Sequence, residues 1–531
     1  MSTTQLFTEQ NIIFNDQIVD NDLVPIPITD AKFGILNLTA ISAPLCQEVH
    51  EFIFMVDCSG SMSDECSDGR DKMQHIIHTL KNMILYFKEK PDIKVHITIN
   101  TFDDKIYNVL DRSSVTEDNY SEIISKVNAI SPRGSTNIGL ALKRVSNLAT
   151  QIKTDFPTHN VCNIFMTDGD ATVGETNHNK LAELVDKTIN NYFIGFGIDH
   201  DTTLLNSISN NVNSGYYFID KLENAGLVYG EILHGIVYKY LKNVNITIQN
   251  GLLYDFKNNT WTHDLYIGEI VSEANKIYQI VSNNHAECSV NLTGISVADN
   301  LHIQITIKCP EKFQDLTKYI YRQRTLQLLY NVNDFLKRKN EHNQSNPISI
   351  FRNNNTNNDS RLLLKEEETA IKNKLRLFID EMQKNMISNN LDDDKFMKSL
   401  CDDIYVCYRT FDTRYGAMYT TSRQTSQGSQ RCYAVNHTSC TETPSRNTVR
   451  SLRPPSLTRQ VNRTYSRSRS RSSGSELDDL FISDSDNDLN YEVSGFEDSP
   501  YSTRGATQTM RDISAGGSDF KFNLSDSEED K

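Results

Sequence analysis

The 531-residue chain has no run of about 18 apolar residues, so no segment reads as a membrane-spanning helix. The first residues, MSTTQLFTEQNIIFNDQ, have neither a basic n-region nor an apolar h-region, so no secretory signal is expected. An intracellular chain follows, cytoplasmic first, with the nucleus or a virion as alternatives. Its ten cysteines contain no C-x-x-C pair, which argues against zinc fingers and RING sites and for thiols rather than disulfides. No G-x-x-x-x-G-K-[ST] phosphate loop occurs, so nucleotide hydrolysis has no support. Hydrophobic residues make up only 38%, below the roughly 45–50% of globular chains. Part of the length is therefore expected to lie outside any packed core.

Charge divides the chain. The formal net charge is −15, which opposes whole-surface attraction to nucleic acid. One segment reverses the sign: Pro444–Ser473 carries eight arginines and no acid, including the SR-like run Tyr465–Ser473. Glu476–Lys531 then holds fifteen acids against four bases. The basic segment offers electrostatic contact with RNA or with an acidic protein; a solvated linker is the plain alternative. Ser483, Ser485, Ser525 and Ser527 stand among acids, as acidophilic kinase sites do. Each phosphate would add roughly −1.5 to −2 charge.

The order of patterns predicts an α/β chain with flanking parts. Residues 1–49 read as a β segment. Residues 50–242 alternate apolar runs with amphipathic stretches, which predicts a doubly wound, Rossmann-like parallel sheet. Residues 243–312 alternate with period two, as antiparallel strands do. With residues 11–45 they are expected to form either one sandwich or two independent small elements. Residues 313–411 read as helices, with an Asn-rich linker over 340–360. From 412 to 531 the composition predicts a disordered tail, Arg/Ser-rich and then acidic.

In a doubly wound sheet, ligands bind beyond the carboxyl ends of the strands. Three polar loops fall there. Glu51-Phe-Ile-Phe-Met-Val-Asp57 runs into Cys-Ser59-Gly-Ser61, Val161–Asp168 runs into Gly169-Asp170, and Gly134-Ser-Thr136-Asn opens a helix. Together they bring two carboxylates and three hydroxyls. Such hard oxygens favour Mg²⁺, Mn²⁺ or Ca²⁺ over zinc. Few protein ligands around an octahedral ion leave positions for water or for an outside group, so a partner's Asp or Glu can complete the site. Gly60 is expected to let the backbone turn closely around the ion. The stretch Met62–Asp71 is long and acidic and is expected to cover or to solvate the rim.

At these residues the chain resembles the von Willebrand factor A (VWA) domain family, whose metal-ion-dependent adhesion site is built from the same three pieces. The resemblance spans about residues 50–240. It implies direct metal contact by Ser59, Ser61 and Thr136, with Asp57 and Asp168 acting partly through water. Gly195-Phe-Gly197…Asp199-His200-Asp201 and Arg423–Tyr433 are similar to intracellular VWA proteins of eukaryotes and large DNA viruses. The Asn-rich loops fit the AT-rich genome of a protist or such a virus. The implied role is a non-enzymatic scaffold that grips an acidic residue of a protein partner, without membrane contact. The alternatives are an accessory factor of a ubiquitin-ligase or ATPase complex, and an RNA-linked adaptor working through the SR-like segment. His200, between two aspartates, has no nucleophile beside it and reads as a loop residue. Cys58 reads as a buried thiol, and Trp261 as strand packing.

Overall fold

The computed structural model describes residues 6–16, 27–28, 30–66, 69–197, 200–211, 213–219, 225–309, 313–345, 355–413, 415–432 and 499–515. Ser483, Ser485, Ser525, Ser527, the SR-like run and Asp199 lie outside them.

Two strands open the chain, β1 (Phe7–Asn15) and β2 (Lys32–Ala40). The chain then enters β3 (His50–Asp57), whose eight residues are all buried. Burial on both faces explains the unbroken apolar run. Phe52, Phe54 and Val56 pack into one core, while Ile53 and Met55 pack into another on the opposite face. The remaining strands of this sheet are β4 (Val95–Phe102), β5 (Ile106–Ser114), β6 (Asn160–Thr167), β7 (Asn190–Phe196) and β8 (Ser214–Ile219). Their order is β5-β4-β3-β6-β7-β8, parallel except for the hairpin partner β5. One face is covered by α1 (Lys72–Glu89), α2 (Glu117–Asn128) and, later in the chain, α6 (Ala225–Val237); the other by α3 (Ile138–Asp155), α4 (His178–Glu183) and α5 (Thr202–Ser209). This is the expected doubly wound α/β fold. Helix α6 ends at Val237, and residues 239–241 already belong to the next strand. Tyr240 and Leu241 join the core of the flanking sandwich rather than that of the α/β sheet.

After α6 the chain builds strands β9 (Lys239–Gln249), β10 (Leu252–Asp255), β11 (Thr260–Thr262), β12 (Asp264–Val271), β13 (Asn275–Ser282), β14 (Ser289–Ser296), β15 (His302–Lys308) and β16 (Phe313–Gln314). One sheet runs β11-β10-β13-β2-β1-β16 and the other β12-β9-β14-β15. Leu36 and Leu38 from before the α/β domain share a core with Val244, Ile246, Val290 and Leu292 from after it. The α/β domain is thus inserted into a two-sheet sandwich. Trp261 packs on Tyr254, ring centroids 5.2 Å apart.

Four helices follow: α7 (Thr317–Ser345), α8 (Asn355–Ser388), α9 (Lys395–Thr410) and α10 (Gly416–Ser429). Leu375 and Ile379 of α8 are buried against Leu329 and Phe335 of α7 and Leu400 and Ile404 of α9. The helices therefore extend into the stretch expected to be an Asn-rich linker, and residues 346–354 of it lie outside the described residues.

The expected disorder from 412 onward does not extend to two helices, α10 and α11 (Arg504–Ala515); residues 433–498 and 516–531 lie outside the described residues. Both are polar in composition and were missed for that reason. Helix α10 buries Met418 and Tyr419 in the core shared with α3 and α5, and hydrogen bonds fix its C-terminal end. Arg322 donates to Ile277 O (3.0 Å) and to Gln427 O (2.8 Å), and Gln430 pairs both ways with the Ile277 backbone at 2.9 and 3.1 Å. Arg431 donates to Tyr216 O at 2.5 Å. The stretch 423–431 thus ties the helices to the sandwich and to the α/β domain. Helix α11 inserts Met510 and Ile513 into the core beneath α1 and α6. It fits because α6 presents glycines: a Cβ on Gly230 would fall 2.4 Å from Met510 Cα, and one on Gly226 would fall 2.8 Å from Ser514 Oγ.

Candidate metal centre

The five residues selected from the sequence meet at the carboxyl rim of the parallel sheet. Asp57 ends β3, Ser59 and Ser61 occupy the loop after it, Thr136 precedes α3, and Asp168 follows β6. Asp57, Ser59, Thr136 and Asp168 are buried. The Ser59 and Ser61 hydroxyls lie 3.1 Å apart, and Ser61 donates to Asp168 Oδ1 at 2.8 Å. A Cβ on Gly169 would sit 3.6 Å from Thr136 Oγ1 and 3.7 Å from Ser61 Oγ. Two of the three hydroxyls therefore converge on the same glycine. Thr172 couples the last two loops: its Oγ1 accepts from Thr136 N (2.9 Å), and its N–H donates to Thr136 O (3.0 Å).

Asp57 is held from behind. Its Oδ1 accepts the Ser59 N–H at 2.8 Å and its Oδ2 accepts the Thr167 hydroxyl at 2.6 Å. Burial raises its carboxyl to about 6; the Thr167 hydrogen bond opposes this rise and the nearby Asp168 charge adds to it. A carboxylate placed there gains from a cation.

The glycine that shapes the rim is not the expected one. Gly60 meets only Gly134 O, 3.6 Å from its Cβ position, and tolerates a side chain on that count. Gly134 has φ +66° and a Cβ there would lie 3.0 Å from Asp103 Cβ, so only glycine fits. The Gly134 carbonyl accepts from Gly60 N at 3.1 Å and so pins the two loops together.

Sequence reading missed Lys72. It opens α1 behind the capping box of Asp71 and Gln74, and reads as an ordinary first-turn residue. Its ammonium is almost fully buried and lies 2.6 Å from Asp168 Oδ2 and 3.7 Å from Asp64 Oδ2. The available signal was a lysine at a helix N-terminus, where the macrodipole disfavours positive charge. The acidic stretch before it folds as a 3₁₀ turn (Gly60–Ser63) and a bridge between Glu65 and Asp71 beside the rim. Cys58 is a buried thiol, pushed up to about 12 by burial. His200 is buried, bonded to Gly197 O (2.7 Å) and the Tyr216 hydroxyl (2.8 Å), and lowered to about 4 by burial. It supports the rim as a packed loop residue.

All the donors at the rim are oxygens, three hydroxyls and two carboxylates, and this set fits a hard divalent ion. The sequence comparisons agree on the fold. The model of the von Willebrand factor type A domain family matches residues 51–230. The chain carries a VWA domain. It is 26% identical over 243 residues to inter-alpha-trypsin inhibitor heavy chain H3 of Mesocricetus auratus, covering 44% of this chain and 26% of that protein. It is 22% identical over 282 residues to heavy chain H2 of Sus scrofa, covering 51% and 28%. The chain thus spans about a quarter of the length of these relatives. Among solved structures it is similar to the ArnB paralog VWA2 from Sulfolobus acidocaldarius, at 13% identity and TM-score 0.47, covering 79% of this chain and 97% of that one. No helix among the described residues is long and apolar enough to cross a membrane.

Proposed function

We propose that the VWA rim binds a divalent cation, Mg²⁺ or Mn²⁺, and through it an Asp or Glu of a protein partner. Ser59, Ser61 and Thr136 would hold the ion, with Asp57 and Asp168 supplying negative charge around it. The ion would act as a Lewis acid bridging two sets of oxygens, and no bond in the partner is broken. The reading assigns the site to binding rather than catalysis, in an intracellular chain.

The observation that carries it is the Ser59–Ser61–Asp168 chain of hydroxyl and carboxylate oxygens beside Thr136, with the buried Asp57 fixed behind. A mere turn does not need two buried carboxylates on adjacent strands. Their mutual repulsion is a cost that a bound cation relieves.

Affinity capture from the native source tests the proposal, using the full chain, Asp57→Ala, Asp168→Ala and EDTA. Partners retained by the unmodified chain in Mg²⁺ should be lost in both variants and with chelator. Capture that survives all three refutes the metal bridge.

A further inference from the structure

A second cluster of metal-ligating side chains lies at the opposite end of the same sheet. Glu51 and His96 are paired neighbours near the N-terminal ends of β3 and β4, and His159 immediately precedes β6. One ligand atom from each lies within 4.8 Å of the others. Both imidazoles turn Nδ1 toward the same oxygen: His159 Nδ1 is 2.7 Å and His96 Nδ1 3.3 Å from Glu51 Oε1. Glu51 is 1% exposed, so this oxygen is fixed. The two rings stack in near-parallel planes, 7° apart, and Phe156 backs His159 at 4.8 Å.

A cation already uses the place. Arg112 Nη2 sits 2.7 Å from Glu51 Oε1 and 3.1 Å from His96 Nδ1, while its Nε reaches Oε2 at 3.0 Å. The guanidinium has no lone pair, so His96 Nδ1 must offer one to it. Neutral imidazole with its lone pair turned inward is the form that ligates metal. Arg112 is about one-third exposed and rests on the Phe156 ring at 4.1 Å. It can withdraw along that ring toward solvent, which Glu51 cannot.

We infer that Glu51, His96 and His159 form a zinc-binding site at the base of the VWA sheet, with Arg112 holding the position in the absence of metal. Tetrahedral zinc with ligands at about 2.0–2.1 Å requires ligand atoms roughly 3.3 Å apart; the His96–Glu51 spacing already has that value and the His159–Glu51 spacing of 2.7 Å has to open slightly. Two imidazoles and one carboxylate, with a solvent-facing fourth position, are borderline-soft ligands suited to zinc rather than to Mg²⁺. On binding, His159 gives up the Nδ1 proton that now faces Glu51, and its Nε2 carries the ring proton. The site is independent of the rim, whose donors are all oxygens.

The test uses the full chain and zinc ions alone, titrated against a chromophoric chelator, with Co²⁺ as a spectroscopic stand-in. The unmodified chain and Asp57→Ala should bind zinc alike. His159→Gln should weaken zinc at least roughly a hundredfold, since even outer-shell changes cost 10–100-fold. Arg112→Gln, which keeps all three ligands and removes the competing cation, should bind zinc more tightly. Bound Co²⁺ should give the intense visible bands of a tetrahedral nitrogen–oxygen site, lost in His159→Gln. Weak octahedral bands, bands dominated by thiolate charge transfer, absence of binding at micromolar zinc, or affinity unchanged by His159→Gln would each overturn the assignment. If His159→Gln does not fold, the Co²⁺ bands of the unmodified chain and the direction of the Arg112→Gln change decide it.

Discussion

Replacing Lys72 by Met separates the two cations that want Asp168. In the structure the ammonium takes Asp168 Oδ2 at 2.6 Å while Ser61 donates to Oδ1 at 2.8 Å. An ion bound among Ser61, Thr136 and Asp168 would lie within about 6 Å of Nζ. A divalent charge at that distance is repelled by about 5 kcal/mol at an effective dielectric near 20. Rotation of the lysine stem away from the ion relieves part of this, and we expect a tenfold to hundredfold gain in Mg²⁺ affinity in Lys72→Met, or about 1.4–2.8 kcal/mol. Without metal the sign reverses. The variant leaves Asp57 and Asp168 buried with no counter-charge from α1, and removing one partner of a buried pair costs about 3–5 kcal/mol. Thermal melts in EDTA should therefore fall below those of the unmodified chain, and added Mg²⁺ should recover more in the variant than in the parent. Calorimetric titration of Mg²⁺ supplies the affinity. A variant that binds Mg²⁺ more weakly, or that melts at the same temperature in EDTA as the parent, shows that Lys72 neither contests the ion nor stands in for it.

The Asp57 carboxyl, raised by burial to about 6, must be ionised to favour a cation. Its proton therefore competes with the metal: affinity should be level above pH 7 and fall about tenfold per unit below pH 6, measured by Mg²⁺ titration across pH 5–8. A flat profile would remove Asp57 from the site. Gly230→Leu drives a side chain into Met510 Cα, and overpacking of this kind costs about 1–3 kcal/mol; α11 should detach. A protease site engineered between residues 460 and 461 provides the assay. After cleavage the fragment bearing 499–515 should co-elute with the body of the unmodified chain and separate from it in Gly230→Leu. Asp403→Ala removes the carboxylate beside the buried Arg423 guanidinium, whose Nε lies 3.5 Å from Asp403 Oδ1, and the acceptor of the Gln427 side chain, and should lower the melting temperature of the helical part far more than Asp412→Ala, an exposed neighbour.

The legible parts of this protein are those with one dominant signal. Continuous apolar runs marked β3 and β6 as doubly covered strands, and the Asp57, Thr136 and Asp168 loops followed from where such strands end. The β segments before and after the VWA domain were legible from alternation, whereas their partnership rests on the long-range pairing of β13 with β2. Illegible were features whose meaning depends on a distant neighbour. Lys72 looks like any helix-opening lysine until Asp168 is brought to it. Glu51, His96 and His159 are spread over 108 residues, and only the parallel register of β3, β4 and β6 gathers them. Helices α10 and α11 are polar in composition. Their order comes from a few buried apolar side chains, Met418 and Tyr419 in α10 and Met510 and Ile513 in α11, together with buried hydrogen bonds and the glycines of α6.

The insertion itself sets which end of the VWA sheet lies away from the sandwich. The chain leaves the sandwich before β3 and returns after α6, and these two junctions touch: Cys46 N donates to Val237 O at 2.9 Å. Glu48 and Lys242, on the two sides of the joint, form an ion pair. Both crossings are at the Glu51 end of β3. Asp57 lies six residues further along a strand that rises about 3.3 Å per residue, so the rim stands about 20 Å from the joint. Helix α11 spans the joint from outside: Gly505 N donates to Glu273 Oε2 of the sandwich at 3.1 Å, while Met510 and Ile513 enter the VWA core. The connections thus brace the pole opposite the one where the oxygen-bearing side chains converge. A partner docking there meets a rim held rigid from behind, so its binding need not reorganise the joint. Zinc at Glu51, His96 and His159 would act on the braced pole instead, stiffening the seat of the domain without entering the adhesive surface. The two ends of β3 would then respond to different metals for different purposes.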